Sequence, residues 1–193
     1  MKGIDKTIDQ IIRATMLCKA DALDFIAIGS RKIIPKKTLI IHPNKVADRA
    51  YFLKEGVIRH YTESKTVQFT KNLIRGPRFM LPSLTSFFLE ISSTIYCESL
   101  TDLEVIEWDR ADLMKFAEYH PHMYKFLLKG VVKAFRSKEE KEIAFITQPA
   151  KERYLHFLKE YPNLINEIPI QYVASFLGIR PETLSRIRAQ RIS

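Results

Sequence analysis

The sequence predicts an α+β chain: a β-rich N-terminal barrel or sandwich, then a long helix, then a helical C-terminal unit ending in a helix-turn-helix. Three observations point there. Residues 170–187 carry two helical apolar patterns, broken at Gly178 and restarted at Pro181. Residues 31–108 hold several short runs of β-branched and aromatic residues divided by turn residues. Residues 123–146 contain no proline and keep a helical spacing of apolar positions.

Composition narrows the function. The 193 residues suffice for one large domain or two modest ones, and the pattern divides into two. With 46% hydrophobic and 27% charged residues the chain reads as an ordinary soluble globular protein, not a low-complexity one. A net charge of +9 favours a polyanionic partner, nucleic acid first and an anionic membrane surface second. Cys18 and Cys97 are too few and too distant for a metal knuckle or a disulfide framework, and read as buried thiols in a reducing compartment. Residues 1–12 carry Asp5 and Asp9 and lack the uninterrupted apolar core of a signal peptide. No run approaches the roughly eighteen apolar residues that a membrane span requires. A cytoplasmic address with no membrane partner follows.

In order, residues 5–25 place Ile8, Ile11, Ile12, Thr15, Met16 and Leu23 at roughly helical spacing, which predicts an amphipathic helix or a pair of helices. From Ile26 the pattern changes. β-branched residues among lysines over 31–41 lead into a turn at His42-Pro43-Asn44-Lys45. Ala50-Tyr51-Phe52-Leu53 reads as a buried strand, Lys54-Glu55-Gly56 as a tight turn, and Val57-Ile58-Arg59-His60-Tyr61 as the returning strand of a hairpin. Residues from Thr66 to Thr70 alternate weakly and can pair beyond it. Residues 93–98 and 103–108 give two further strands around a turn at Leu100-Thr101-Asp102. Short strands at near-regular spacing argue for a sandwich or a jelly-roll barrel, whose interior can house a small ligand.

After Trp108 the strands give way. Residues 109–116 form a short helix with an acidic start, ended before Pro121. The run over 123–146 sets Met123, Leu127, Val131, Ala134 and Phe145 to one side and clusters charge over 136–142. It reads as a surface helix with a solvated face or, spanning roughly 30 Å, as a dimer seam. A two-fold operator needs a two-fold protein, which favours the seam. Gln148-Pro149 marks a boundary, so that 1–120 forms the barrel, 121–147 the connecting helix and 148–193 the helix-turn-helix unit. Residues 150–161 predict another amphipathic helix with Tyr154, Leu155 and Leu158 inward.

In the motif itself Val173, Ala174 and Leu177 share one face, with small Ala174 where a second helix can cross closely. Gly178 supplies a left-handed residue past the helix end, and Ile179 can tuck beneath the turn. Pro181 suits a first helical position. In the second helix Leu184 and Ile187 face inward, leaving Glu182, Ser185, Arg186 and Gln190 outward. Arginine can donate two bonds to guanine O6 and N7, a carboxylate can accept from cytosine N4, and Ser or Thr can bond base or phosphate. A helix N-terminus adds attraction for phosphate. The plainer alternative is a helical hairpin packed inside an all-α domain, with Arg186 and Arg188 merely solvated. The basic outward face favours DNA.

The order of parts resembles the Crp/Fnr family of bacterial transcription regulators over nearly the whole chain. The resemblance rests on Tyr51-Phe52-Leu53-Lys54-Glu55-Gly56-Val57-Ile58, on Glu152-Arg153-Tyr154-Leu155 with Tyr161-Pro162, and on Leu177-Gly178-Ile179-Arg180-Pro181-Glu182-Thr183-Leu184-Ser185-Arg186-Ile187-Arg188. The last two are similar to the short members found in Bacteroidetes. The resemblance implies a double-stranded β-helix of the cyclic-nucleotide-binding type, a dimerisation helix and a DNA-binding domain. Its implied partners are double-stranded DNA, a second copy of the chain, RNA polymerase and a small-molecule effector. Carried over, Glu182 and Arg186 would contact bases and Thr183 and Ser185 would lie near phosphate, with Arg180, Arg188 and Gln190 completing the DNA-facing set.

Two departures matter. Many members start the recognition helix with arginine, where this chain has Pro181, so an operator sequence does not transfer. Cyclic-nucleotide-binding members hold the ribose with a Gly-Glu pair and the phosphate with Arg followed by Ser or Thr. Aligned without gaps through Thr94, this chain has Pro82 and Ser83 at the pair and Ser93 at the arginine, and only Thr94 remains. A desolvated phosphate wants a charge-assisted, forked donor, so the pocket is expected to be degenerate and not to bind cyclic AMP tightly. The cysteine cluster of the oxygen-sensing branch is absent, and no haem ligand set stands out. No cofactor is expected.

His42 and His60 lie on different segments with no His-x-His or matching Glu nearby, so no metal centre is expected. His120 and His122 flank Pro121 as solvated turn residues. No nucleophile elbow, phosphate loop or zinc-protease motif occurs, and catalysis is the least favoured class. The expectation is a homodimeric, sequence-specific DNA-binding regulator that is not an enzyme. A ligand-sensing module whose helical tail docks a protein without reading DNA is the alternative.

Overall fold

The computed structural model describes residues 2–65 and 67–192. The chain opens with two helices, α1 (Lys2–Thr15) and α2 (Lys19–Ala27). Ile8, Ile11 and Thr15 are buried on α1, whereas Met16 takes a left-handed φ of 63° and stands exposed. Met16 therefore ends the helix and is no part of its apolar face. Leu23 is exposed too, and Ala22 and Phe25 form the inward side of α2.

Among the described residues eight strands follow: β1 (Ser30–Ile34), β2 (Leu39–Ile41), β3 (Arg49–Glu55), β4 (Val57–Ser64), β5 (Val67–Arg75), β6 (Arg78–Met80), β7 (Tyr96–Ser99) and β8 (Leu103–Asp109). They make two four-stranded antiparallel sheets, ordered β1-β8-β3-β6 and β2-β7-β4-β5. This is the jelly-roll arrangement.

The expected hairpin at Lys54-Glu55-Gly56 does not form. β3 pairs with β6 and β8, while β4 pairs with β5 and β7, so the turn carries the chain from one sheet to the other. Leu100-Thr101-Asp102 makes the same crossing between β7 and β8. The reason is visible in burial, which is nearly continuous along Ala50, Tyr51, Phe52 and Leu53 and again along Val57, Ile58, Arg59, His60 and Tyr61. Continuous burial needs cover on both faces, which a single open hairpin cannot supply. The two crossings touch: the Val57 amide donates to Thr101 Oγ1 at 2.9 Å, and the Leu100 amide to the Val57 carbonyl at 2.8 Å. Gly56 is required between them, because its φ is 106° and a Cβ there would lie 2.6 Å from the Asp102 carbonyl oxygen.

β5 is the hairpin partner of β4, as the weak alternation over 66–70 suggests, with Thr66 outside the described residues. Between His60 and Tyr61 the pairing slips by one, leaving Lys71 as a bulge residue on β5. β7 starts later than expected because Ser93 folds its own turn, accepting from the Ile95 amide and donating to the Ile95 carbonyl. The short helix α3 (Leu84–Leu89) precedes that turn.

The barrel core is aromatic. Trp108 stacks on Phe25 with centroids 4.4 Å apart and donates its indole N–H to the Phe25 carbonyl at 2.7 Å, fastening α2 to β8. Across β4 and β7, His60 lies opposite Cys97, and both are buried. Burial, with Lys71 adding to it, lowers the His60 pKa to about 4, and its Nε2 has no partner among the described residues. The unfolded chain, with a His pKa of about 6.5, therefore binds a proton that the folded one refuses. This contribution is fully present above about pH 6.5 and is lost as pH falls towards 4, at up to about 1.4 kcal/mol per unit. Urea unfolding at pH 7 and pH 5 should show the loss, and His60→Leu should flatten it; an unchanged slope in the variant would refute the assignment.

Two more helices close the barrel, α4 (Arg110–Tyr119) and α5 (Pro121–Thr147). Met123 is fully buried and Phe126 and Leu127 pack on the barrel core, but Ala134 and Phe145 are exposed. The free apolar stripe of α5 is instead Tyr124, Leu128, Val132, Phe135, Ile143 and Ile146, all exposed. It runs one position along from the expected stripe, because the start of the helix spends that side on the barrel. Ion pairs Arg136–Glu140 and Lys138–Glu142 lie along the charged stretch. Then come α6 (Ala150–Glu160), a 3-10 turn (Leu164–Asn166), α7 (Ile170–Phe176) and α8 (Pro181–Ile192). On α6, Tyr154 and Phe157 are buried and Leu155 is exposed, so Phe157 takes the inward place expected of Leu155.

Candidate nucleic-acid interface

α7 and α8 form the helix-turn-helix. Val173, Ala174 and Leu177 are buried against Leu184, with Ile179 and Ile187 partly buried beside them. The turn is a Schellman cap: the Ile179 amide donates to the Ala174 carbonyl at 3.0 Å and the Gly178 amide to the Ser175 carbonyl at 3.1 Å. Gly178 has φ 66°, and a Cβ there would sit 3.1 Å from the Phe145 ring at the end of α5. Pro181 opens α8, where no amide partner is available.

With Leu184 anchored inward, the opposite side of α8 is free. Glu182, Thr183, Ser185, Arg186 and Gln190 are exposed, and so is Arg180 just ahead of the helix. Arg188 is half-buried and lies about 200° around the helix from Arg186, so it does not share that face. Among the described residues Glu182 and Arg186 have no ion-pair partner. The face offers a forked donor, a carboxylate acceptor, hydroxyls and an amide, the groups that base edges and phosphates take.

The residues aligned with a nucleotide pocket differ in exposure and in what their side chains bond. Ser83 is buried at the start of α3, Ser93 spends its hydroxyl on its own turn, and Thr94 is exposed. Among the described residues no three His, Cys, Asp or Glu are grouped to hold a metal ion.

Arg153 has a role that the sequence did not suggest. Its Nε donates to the Leu177 carbonyl at 3.1 Å and its Nη1 to the Gln148 carbonyl, so it ties the end of α7 to the joint between α5 and α6. Its place in a motif-like run was visible; its carbonyl partners, 5 and 24 residues away, were not.

Solved structures share this architecture. FixK2 from Bradyrhizobium japonicum superposes with a TM-score of 0.75 at 19% identity, covering 84% of each chain. The chain has the fold of the Crp/Fnr regulators. CLP from Xanthomonas campestris, described as a c-di-GMP responsive global regulator that links cell-cell signaling to virulence gene expression, gives 0.71 at 16% identity over 90% of this chain and 91% of that one. A protein from Eubacterium rectale described as a transcriptional regulator of the Crp/Fnr family gives 0.70 at 15% identity, over 91% and 84%. No family model matches the sequence, and no curated protein does.

Proposed function

We propose that the chain is a homodimeric, sequence-specific DNA-binding transcription regulator that reads DNA with α8. The carrying observation is the exposed face of Glu182, Thr183, Ser185, Arg186 and Gln190 on a helix whose other side is fixed by Leu184. The Crp/Fnr fold and the net charge of +9 support the same reading. The exposed stripe of α5 supplies a seam for a second copy, which would set two α8 helices in successive major grooves about 34 Å apart. Such a regulator works in the cytoplasm beside RNA polymerase. No described helix is long and apolar enough to cross a membrane. Ser93, where a phosphate-gripping arginine would stand, spends its hydroxyl on its own turn, which supports a pocket unable to grip a cyclic nucleotide tightly, and a small-molecule effector would have to be of another kind.

Selection of bound sites from a random duplex pool tests the reading, with binding expected to weaken steeply with salt. Arg186→Ala should then cost about 1 to 3 kcal/mol on the selected site and relax base preference at one position per half-site. If the variant keeps the wild-type ratio of specific to random binding, Arg186 does not read bases. If the wild type selects nothing, the reading itself falls.

A further inference from the structure

The seat of α7 on the barrel extends this reading and depends on it. Arg59 lies in the middle of β4 with 1% of its surface exposed, an unusual place for a cation. Its Nε donates to Thr70 Oγ1, and its Nη1 to Gln68 Oε1 and Glu98 Oε1, each at 2.9 Å. The guanidinium carbon is 4.3 Å from the ring centre of Tyr61 and 3.9 Å from that of Tyr172. Tyr61 belongs to the barrel and Tyr172 to α7, so one planar cation is held by both units.

The surrounding contacts repeat the pattern. Ser175 of α7 accepts from the Thr70 amide at 2.8 Å and donates to the Gln68 carbonyl at 3.2 Å, covering the open edge of β5. Lys141 of α5 donates to the bulge carbonyl of Lys71 at 3.0 Å and sits 3.8 Å from the Phe176 ring centre. Tyr161 donates to the Leu73 carbonyl, and Arg75 pairs with Glu167. Beneath them Val57, Leu73 and Leu100 of the barrel share one buried cluster with Tyr154, Phe157, Val173 and Leu177.

Two bodies on a free hinge would not share a core. A buried guanidinium left without its partners is costly, and a stacked one fixes an angle as well as a distance. The exposed face of α8 takes no part in these contacts. We propose that Arg59, gripped by Tyr172, is a positioning residue: the barrel sheet holds α8 in its reading orientation with no ligand bound, and that orientation persists on DNA. Pairing of two copies makes capture of the second half-site intramolecular, a fixed orientation raises the effective concentration of that step, and loosening it forfeits the advantage.

The test measures orientation and binding separately. Spin labels on Cys18, which is exposed, and on Lys151→Cys report the distance between the units in the full chain, while buried Cys97 stays unlabelled. Magnetically diluted wild type should give one narrow distance that does not change when the selected duplex is added. Tyr172→Ala should broaden it and weaken binding to a two-half-site duplex at least about 10-fold, with affinity for a single half-site unchanged. Tyr172→Phe, which keeps the ring, should restore both. Several distances in the wild type, a shift on DNA, or a narrow distance in Tyr172→Ala would overturn the positioning role. Equal loss on the two duplexes would also overturn it, since that is what a merely destabilised motif gives. A wild type with narrow distances and no selective binding would overturn the DNA reading instead.

Discussion

Leu128→Glu is expected to leave the fold intact, convert the proposed dimer to a monomer and weaken binding to a two-half-site duplex by about 100-fold or more. Leu128 is 63% exposed in the N-terminal half of the α5 stripe, between Tyr124 and Val132 with Phe135 beyond. A free row of this kind at helical spacing is what a second helix covers. In a two-fold seam, identical positions approach one another, so a glutamate there would meet its own copy in a desolvated place. Because the side chain touches no barrel core, the thermal midpoint of the monomer should hardly move. Equilibrium sedimentation at micromolar concentration decides it: an undiminished dimer mass in the variant shows that the seam lies elsewhere.

Trp108→Ala should have the largest effect on stability. The side chain is 1% exposed, stacks on Phe25, lies 5.8 Å from Phe79 centre to centre and satisfies the Phe25 carbonyl. Deleting a buried aromatic of this kind costs about 3 to 5 kcal/mol, and the orphaned carbonyl adds to it. Against a total of about 5 to 15 kcal/mol, that is enough to put a sizeable fraction of chains in the unfolded state. Chemical denaturation followed by circular dichroism is the measurement, since the substitution removes the only tryptophan. A loss under about 1 kcal/mol would mean that the neighbouring rings close the gap.

The helix-turn-helix was legible because its determinants are local. Val173, Ala174 and Leu177 repeat at helical spacing, Gly178 is demanded by a positive φ, and Leu184 fixes which side of α8 is left over. Most of the strands were legible on the same ground, but β6, the split of 31–41 into β1 and β2, and the pairing were not. Lys54-Glu55-Gly56 has the composition of a hairpin turn, and only contacts tens of residues away make it a crossing between sheets. The long helix shows the intermediate case: its length was readable, yet its free stripe is displaced because Met123 and Leu127 are claimed by the barrel. Least legible was the seat of α7. Arg59 and Tyr172 are 113 positions apart, and nothing in either local pattern says that they meet.

The fit of Phe145 against Gly178 has a consequence for divergence. The ring at the end of α5 fills the space that a side chain at 178 would need, while the turn forbids most side chains there on conformational grounds. The two positions are coupled in divergence: asparagine at 178, the residue most tolerant of such backbone, asks the ring at 145 to give by a few tenths of an ångström, and a smaller residue at 145 removes that demand.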